Sequence, residues 1–192
     1  MQQLVDQRMR LQQGFATGGT GLQVPNWTAA VLRPTRLLWV HLHAADRQWV
    51  TRADPAVQFW AGDTKPIGSG LTLVRLGGHF DGGTVLHWAH WSEGRGVLLS
   101  GDILQVVPSG HVSFMWSYPN LIPLSAAKVQ RMAEILEPFA FDAVYGAFSG
   151  RGQIDANGKQ VVAASVARYV ARISETSEVS VERSVEPHRA AV

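Results

Sequence analysis

Cysteine is absent from the 192-residue sequence. Its absence excludes disulfide scaffolds and thiolate metal sites, so any metal ion must be held by histidine and carboxylate side chains. Lysine is scarce among the 17 basic residues, and the arginines are scattered singly along the chain. With a net charge of only +2, the sequence lacks the basic stripe that tracks a phosphate backbone. We therefore expect no nucleic-acid partner.

Long apolar runs are also missing. No stretch approaches the roughly 20 residues that span a bilayer. Residues 1–13 carry Asp6, Arg8 and Arg10 where a secretory signal would need an apolar block. These absences predict a cytoplasmic protein with no membrane partner. With 46% hydrophobic and 17% charged residues, the composition is that of one ordinary globular domain with its own core.

Composition divides the chain into three segments. Residues 1–36 are predicted to be a leader, or a poorly specified N-terminal segment, because they are rich in Gly, Thr and Pro after Gly14. Residues 37–173 have regular hydrophobic periodicity and are predicted to be the folded domain. Residues 174–192 are rich in Ser, Glu and Arg without a period, so they are predicted to be a disordered tail.

Within the domain, short apolar runs punctuated by glycine predict strands, and apolar stripes at three- and four-residue spacing predict helices. Bulky residues alternate onto both faces of the 84–91 strand, which predicts a sheet covered on both sides. The order of elements indicates an α/β (α+β) domain. The predicted strands are 37–42, 71–76, 84–91, 96–103 and 141–145; the predicted helices are 44–50, a helix capped by Ser125, and 159–173.

Two glycine-flanked side chains at strand ends form the candidate site. His79 lies in the sequence Gly77-Gly-His-Phe-Asp-Gly-Gly83, and Asp102 follows Gly101 at the end of a predicted strand. Glycine lets the backbone turn sharply and approach another segment closely, and loops at strand ends commonly carry functional residues. An imidazole and a carboxylate are both acceptable ligands for zinc, iron or manganese.

These stretches resemble the metallo-β-lactamase fold family. Residues 77–87 are similar to its Gly-His-Thr-type turn, with His79 in the ligand position, and residues 97–102 are similar to its strand ending in a metal-binding Gly-Asp. The resemblance implies a metallo-β-lactamase-like αβ/βα sandwich whose metal ligands are His79 and Asp102, with Asp102 also catalytic. It implies a hydrolase of a small-molecule substrate, in which water activated by zinc, iron or manganese attacks an ester, amide or related bond.

Two family signatures have no match. The nearest look-alike of the first, His-x-His-x-Asp-His, is the segment 41–47, in which Asp46 comes one residue late and Arg47 stands where a histidine is required. Residues 37–42 fit better as the strand that follows this signature in the family, and the signature itself is then absent. The sandwich is therefore expected to be incomplete in its first half. The family's last ligand, a histidine, is missing from the segment 145–152.

Two functions therefore stay open. Because a catalytic zinc needs about three protein ligands, either further donors from among His41, His43, Asp46 and His87 join the pair, or the domain is a degenerate, metal-free binding or interaction module. Trp neighbours favour a packed, hydrogen-bonded role for His87.

Two expectations concern surfaces. An incomplete first half would leave one sheet face partly uncovered, which predicts either a homodimer or poor solubility. Phe114, Trp116 and Tyr118 alternate by two, and they are candidates either to line an apolar pocket beside the site or to take part in ordinary sheet packing.

Overall fold

The computed structural model describes residues 31–32, 39–51, 53–148 and 153–174. The predictions for the leader and the tail lie outside the described residues, with two exceptions. Val31–Leu32 forms a short strand within the predicted leader, and Ser174 ends the last helix.

Twelve strands and three helices make up the described part of the chain. In chain order the strands are β1 (Val31–Leu32), β2 (Trp39–His43), β3 (Val57–Trp60), β4 (Thr64–Gly68), β5 (Leu71–Arg75), β6 (Thr84–Trp88), β7 (Val97–Gly101), β8 (Gln105–Val106), β9 (Val112–Ser113), β10 (Met115–Ser117), β11 (Ile122–Pro123) and β12 (Ala143–Gly146). A 3₁₀ helix, Ala44–Trp49, follows β2, and the α-helices are α1 (Ala126–Leu136) and α2 (Gly158–Ser174).

The main sheet has five strands in the order β12-β7-β6-β5-β4. Strands β4 to β7 form an antiparallel meander, and β12 joins parallel to β7. A parallel neighbour needs a crossover connection, and α1 lies within that connection. The mixed sheet agrees with the predicted α/β (α+β) domain. The sequence-based prediction missed β4, whose Pro66 is tolerated because this strand lies at the edge of the sheet.

Alternation along the strands gives the main sheet two buried faces. One face, which includes Val85 and Leu98, packs on both α-helices. The helices meet it with the stripes that the sequence predicts, through Val129, Met132 and Leu136 of α1 and Val162 and Val166 of α2. Ser125 stands at the N-cap of α1 as predicted, although its side chain makes no capping hydrogen bond.

The opposite face of the main sheet packs on a smaller sheet. Leu73 and Leu86 contact Trp60 of β3, which pairs in parallel with β2; β1 completes a three-stranded sheet. The 3₁₀ helix between β2 and β3 occupies most of the predicted helix at 44–50. The mixed α/β class is thereby confirmed, with the α-helices on one face of the main sheet and β-structure on the other.

The longest helix, α2, has 17 residues. Among the described residues, no helix is long and apolar enough to cross a bilayer.

Candidate functional site

The topology brings three strand ends to one edge of the main sheet. Because β6 runs antiparallel to both β5 and β7, and β12 runs parallel to β7, the carboxyl ends of β5, β7 and β12 lie at the same edge. His79 follows β5 and Asp102 follows β7 directly, so the two predicted site residues lie in loops at a common edge. Phe148 follows β12 there as well.

The loop that carries His79 is closed at its base by main-chain hydrogen bonds. The N–H groups of Leu76 and Gly77 both donate to the carbonyl of Gly83, at 2.8 and 2.9 Å. Gly77 and Gly78 have φ of +70° and +89°, a region that only glycine enters without strain. The sharp turn predicted from the glycines is therefore present on the N-terminal side of His79.

The same glycines allow close packing against the rest of the site. A Cβ on Gly83 would lie 2.6 Å from the carbonyl oxygen of Gly77 and 2.7 Å from Ile103, the residue after Asp102. A Cβ on Gly78 would collide with the side chain of Met132 in α1. The loop thus lies against both the Asp102 turn and the helical layer, which confirms the predicted close approach.

A hydrogen bond fixes the orientation of the His79 ring. Its Nδ1 lies 2.9 Å from the carbonyl oxygen of Trp116 in β10. A carbonyl only accepts, so in the neutral imidazole Nδ1 carries the hydrogen and Nε2 carries a lone pair. Histidines that bind metal ions are commonly held in this way, with the second nitrogen donating to a carbonyl or carboxylate.

Asp102 is buried, and only part of its hydrogen-bonding capacity is used. Gly101, with φ of +55°, turns the chain at the end of β7 as predicted. The Asp102 side chain is 4% exposed, and its Oδ1 has no hydrogen-bond partner among the described residues. Burial raises the pKa of this carboxyl to about 6, because water is not available to solvate the charge. Asp102 therefore has a lone pair in the interior ready for a cation or a donor.

Tyr118 links the two predicted residues. Its ring lies against that of His79, with centroids 5.1 Å apart. Its hydroxyl donates to the backbone carbonyl of Asp102 at 2.7 Å. One side chain thus contacts both His79 and the backbone of Asp102.

Three of the other side chains that the sequence offers as metal ligands form hydrogen bonds elsewhere. In His43, Nδ1 accepts from the N–H of Ala45 at 3.2 Å and Nε2 lies 3.1 Å from the carbonyl of Gly62, so the neutral ring uses both nitrogens. Asp46 accepts the N–H of Gly82. His87 is buried with Nε2 2.7 Å from the carbonyl of Ala140, as expected for a packed, hydrogen-bonded histidine.

His41 differs, because its Nδ1 is buried without a partner among the described residues. Burial lowers the pKa of His41, with a further contribution from the charge of Lys65. It lies in β2, beside Gln58 of β3. No group of three or more metal-binding side chains forms within residues 31–32, 39–51, 53–148 and 153–174. His79 and Asp102 therefore have the chemistry of cation ligands and fall short of a catalytic zinc site in number.

The aromatic residues alternating before Pro119 do not form one surface. Phe114 is fully buried in the core against Tyr169, whereas Trp116 is 50% exposed and Tyr118 lies at His79. The packing interpretation is right for Phe114, and Tyr118 contacts His79 in the candidate site, whereas an apolar pocket lined by these residues stays a prediction. Sequence reasoning missed the role of Tyr118 as a link, because no spacing signal connects it to either partner.

Comparison with known proteins adds a relative and a structural neighbour. No protein-family model matches the chain. The uncharacterized protein YmaE of Bacillus subtilis (strain 168) is 44% identical over 145 residues, covering 75% of this chain and 50% of that protein. A metallo-beta-lactamase family protein of Thermus thermophilus aligns with 70% of this chain and 54% of its own, at 18% identity and a TM-score of 0.42. The chain spans about half the length of each.

Proposed function

We propose that the chain is a metallo-β-lactamase-like hydrolase that holds a divalent metal ion, zinc or else iron or manganese, through Nε2 of His79 and the carboxylate of Asp102. The observation that carries the proposal is the pair of available ligand atoms. The Trp116 carbonyl leaves Nε2 of His79 with its lone pair, and Oδ1 of Asp102 is buried without a partner among the described residues.

A bound ion of this kind polarises a carbonyl and lowers the pKa of a coordinated water toward neutrality. The residues of the chain would prepare the site for it. The Trp116 carbonyl keeps the His79 ring in one tautomer, and the Gly83 carbonyl closes the loop that carries it. Asp102 holds a proton below a pH of about 6 and is a carboxylate above it. We expect the substrate to be a small molecule with an ester, amide or related bond.

The small number of metal-binding side chains at the site favours a second function. The described residues supply two ligands where a catalytic zinc takes about three. This observation supports a degenerate, metal-free member of the same fold family, acting as a binding or interaction module. The two functions differ in one measurable property, which is metal affinity.

Zinc titration of the chelator-treated chain by calorimetry tests the proposal. We expect binding that weakens at least about tenfold in His79→Ala and in Asp102→Asn, a size typical of lost site interactions. Two control variants are His111→Ala, whose Nδ1 lies near the carbonyl of Ser109, and Asp54→Asn, whose carboxylate caps an exposed turn. Their zinc affinity is expected to equal that of the wild type.

The same proteins, reloaded with zinc, are then assayed for hydrolysis of 2-naphthyl acetate. We expect hydrolysis above that of free zinc, lost with chelator and in Asp102→Asn. If the wild type binds none of zinc, manganese and ferrous iron, the metal proposal is overturned in favour of the binding module. Metal binding without hydrolysis of ester or amide substrates would overturn the hydrolase.

A further inference from the structure

His43 is buried where β2 meets the 3₁₀ helix, and its neutral ring uses both nitrogens. Nε2 lies 3.1 Å from the carbonyl oxygen of Gly62, which can only accept, so Nε2 carries the hydrogen. Nδ1 is then the acceptor for the N–H of Ala45, at 3.2 Å, and it caps the 3₁₀ helix. A protonated imidazole is a donor at both nitrogens, so protonation of His43 removes this cap.

The 3₁₀ helix is a weakly held element. None of its six residues is buried. Runs of 3₁₀ helix longer than three or four residues are uncommon, because their hydrogen-bond geometry is poor. Segments with few buried apolar contacts open at a low cost in free energy. Loss of the His43 cap is therefore expected to release the whole segment Ala44–Trp49.

Two side chains of this helix contact the loop after β5. Asp46 accepts the N–H of Gly82 at 2.8 Å, and the ring of Trp49 lies against that of Phe80, with centroids 6.3 Å apart. Gly82 also packs directly on His43, because a Cβ at Gly82 would lie 2.8 Å from the Cβ of His43. The cap on the helix and the position of the loop are therefore coupled through one short segment.

Charged side chains surround His43 and its neighbour Asp46. They come from the turn after β3, from β5 and from the His79 loop, and they are Asp63, Arg75 and Asp81. Burial is the main cause that lowers the pKa of His43, and the charge of Arg75 lowers this pKa further. The Gly62 carbonyl and the carboxylates of Asp46 and Asp63 oppose the decrease without cancelling it.

Acid therefore favours the released helix. In water an imidazole takes up a proton near a pH of about 6.5, whereas the buried ring of His43 binds a proton less readily. The stabilisation by the neutral ring is complete above a pH of about 6.5 and is lost as the pH falls from there through the lower pKa of the buried ring.

We infer that His43 and Asp46 form a pH-sensitive clasp, which holds the His79 loop at neutral pH and releases it in mild acid, when His43 takes up a proton. The clasp consists of the hydrogen bond from the Ala45 N–H to His43 and the hydrogen bond from the Gly82 N–H to Asp46. The inference goes beyond the proposed function, because the clasp acts on the loop without a metal ion. Only its effect on metal binding, which acid would weaken by releasing the loop, rests on that function.

Amide hydrogen exchange measured by NMR, with chelator present, tests the clasp. The parent protein and every variant carry Asp102→Asn, so that the titration of the Asp102 carboxyl does not contribute. Between about pH 7.5 and pH 5.5, the protection of the Gly82 and Ala45 amides relative to their intrinsic exchange rates should fall roughly threefold to tenfold. About tenfold is the upper limit for one imidazole that titrates near a pH of about 6.5 when it is released.

Two further substitutions in this parent separate the clasp from other titrations. His43→Asn supplies a preferred N-cap residue that does not titrate, so the protection of Gly82 should lose this fall in acid. Asp46 is present in every protein, and a contribution from its own titration therefore cancels in the comparison. His111→Asn removes a histidine that bonds within its own turn, and it should keep the full fall.

Two outcomes would overturn the inference. The first is constant protection of Gly82 across this pH range in the parent, a result that needs no variant at position 43. The second is an equal fall in the parent and in His43→Asn. Because chelator is present throughout, failure of the clasp leaves the zinc titration standing, and failure of the zinc titration leaves the clasp standing.

Discussion

The carboxylate of Asp46 accepts a hydrogen bond from the backbone N–H of Gly82 at 2.8 Å. The bond ties the 3₁₀ helix after β2 to the loop that carries His79. The approach depends on glycine, because a Cβ on Gly82 would lie 2.5 Å from Oδ2 of Asp46. Burial raises the pKa of Asp46, and the Gly82 N–H opposes that rise. Asp46 therefore holds the loop in place.

Removing this acceptor is expected to loosen the His79 loop. In Asp46→Ala the buried N–H of Gly82 loses its partner, and the free energy of unfolding should fall by about 1–3 kcal/mol. Urea denaturation measures the loss, and amide exchange at Gly82 should accelerate. Asp54→Ala removes an exposed carboxylate that binds the nearby Ala56 N–H, and it should cost less. Equal losses in the two variants would show that the Asp46 bond is ordinary surface capping.

The stability of the metal-free chain should depend on pH through Asp102. Its pKa rises from 3.8 to about 6 on folding, so between these pH values the folded chain retains a proton that the unfolded chain releases. The stabilisation is complete below pH 3.8 and is lost as the pH rises through about 6. At about 1.4 kcal/mol per pKa unit, the loss amounts to about 3 kcal/mol.

Asparagine does not ionise, so the stability of Asp102→Asn should lack this pH-dependent contribution. The free energy of unfolding of the variant, relative to wild type, should increase by about 2.4 kcal/mol between about pH 4 and pH 7.5, because part of the total of about 3 kcal/mol is already lost at pH 4. Urea denaturation in chelator at several pH values gives the comparison. Parallel pH profiles for the two proteins would mean that the carboxyl is solvated in the folded chain.

Gly83 is expected to tolerate no side chain. In Gly83→Ala the new methyl group would meet the carbonyl oxygens of Gly77 and Phe80, at 2.6 and 3.0 Å, and backbone atoms cannot move aside as a flexible side chain can. We expect a loss of more than about 2 kcal/mol in thermal or urea unfolding. Gly68→Ala is the matched control, since its Cβ would make only an ordinary 3.5 Å contact with Leu71. A loss of similar size in both would contradict the packing argument.

A third metal donor should be recoverable at Phe148. This residue follows β12 at the edge shared with His79 and Asp102, and its ring contacts Tyr118. Phe148→His places an imidazole within the segment 145–152, from which the last histidine ligand of the resembling family is missing, and zinc affinity should rise at least about tenfold. Calorimetry measures the change, and Ile173→His, at the exposed end of α2, is the control. Unchanged affinity in Phe148→His would mean that this segment does not reach the ion.

The sequence predicted the turns and helices that bring His79 and Asp102 to the same edge of the main sheet. Gly77 and Gly78 before His79, and Gly101 before Asp102, have the positive φ that their turns need. The stripes of α1 and α2 bury Val129 and Val162 as their spacing predicts. These features are local, so the pattern of residue types encodes them.

The rest of the site depends on contacts between distant segments. The hydrogen bond from Tyr118 to the Asp102 carbonyl and the contact of Trp49 with Phe80 form only when separate loops meet at one edge. The predicted helix at 44–50 is a 3₁₀ helix because a single six-residue segment, closed by the Val50 N–H on the Arg47 carbonyl, has too few turns for periodicity to distinguish the two forms.

The bonds that close the His79 loop come from the main chain. The N–H groups of Leu76 and Gly77 donate to the Gly83 carbonyl. The side chain of Arg75 donates to the backbone carbonyl of Asp81, not to its carboxylate. The hydrogen bonds that close the loop therefore use no side-chain atom of Asp81, whereas the ring of Phe80 packs against Trp49 and His79. A library diversified at position 81 would keep the scaffold of the loop and vary the surface beside His79.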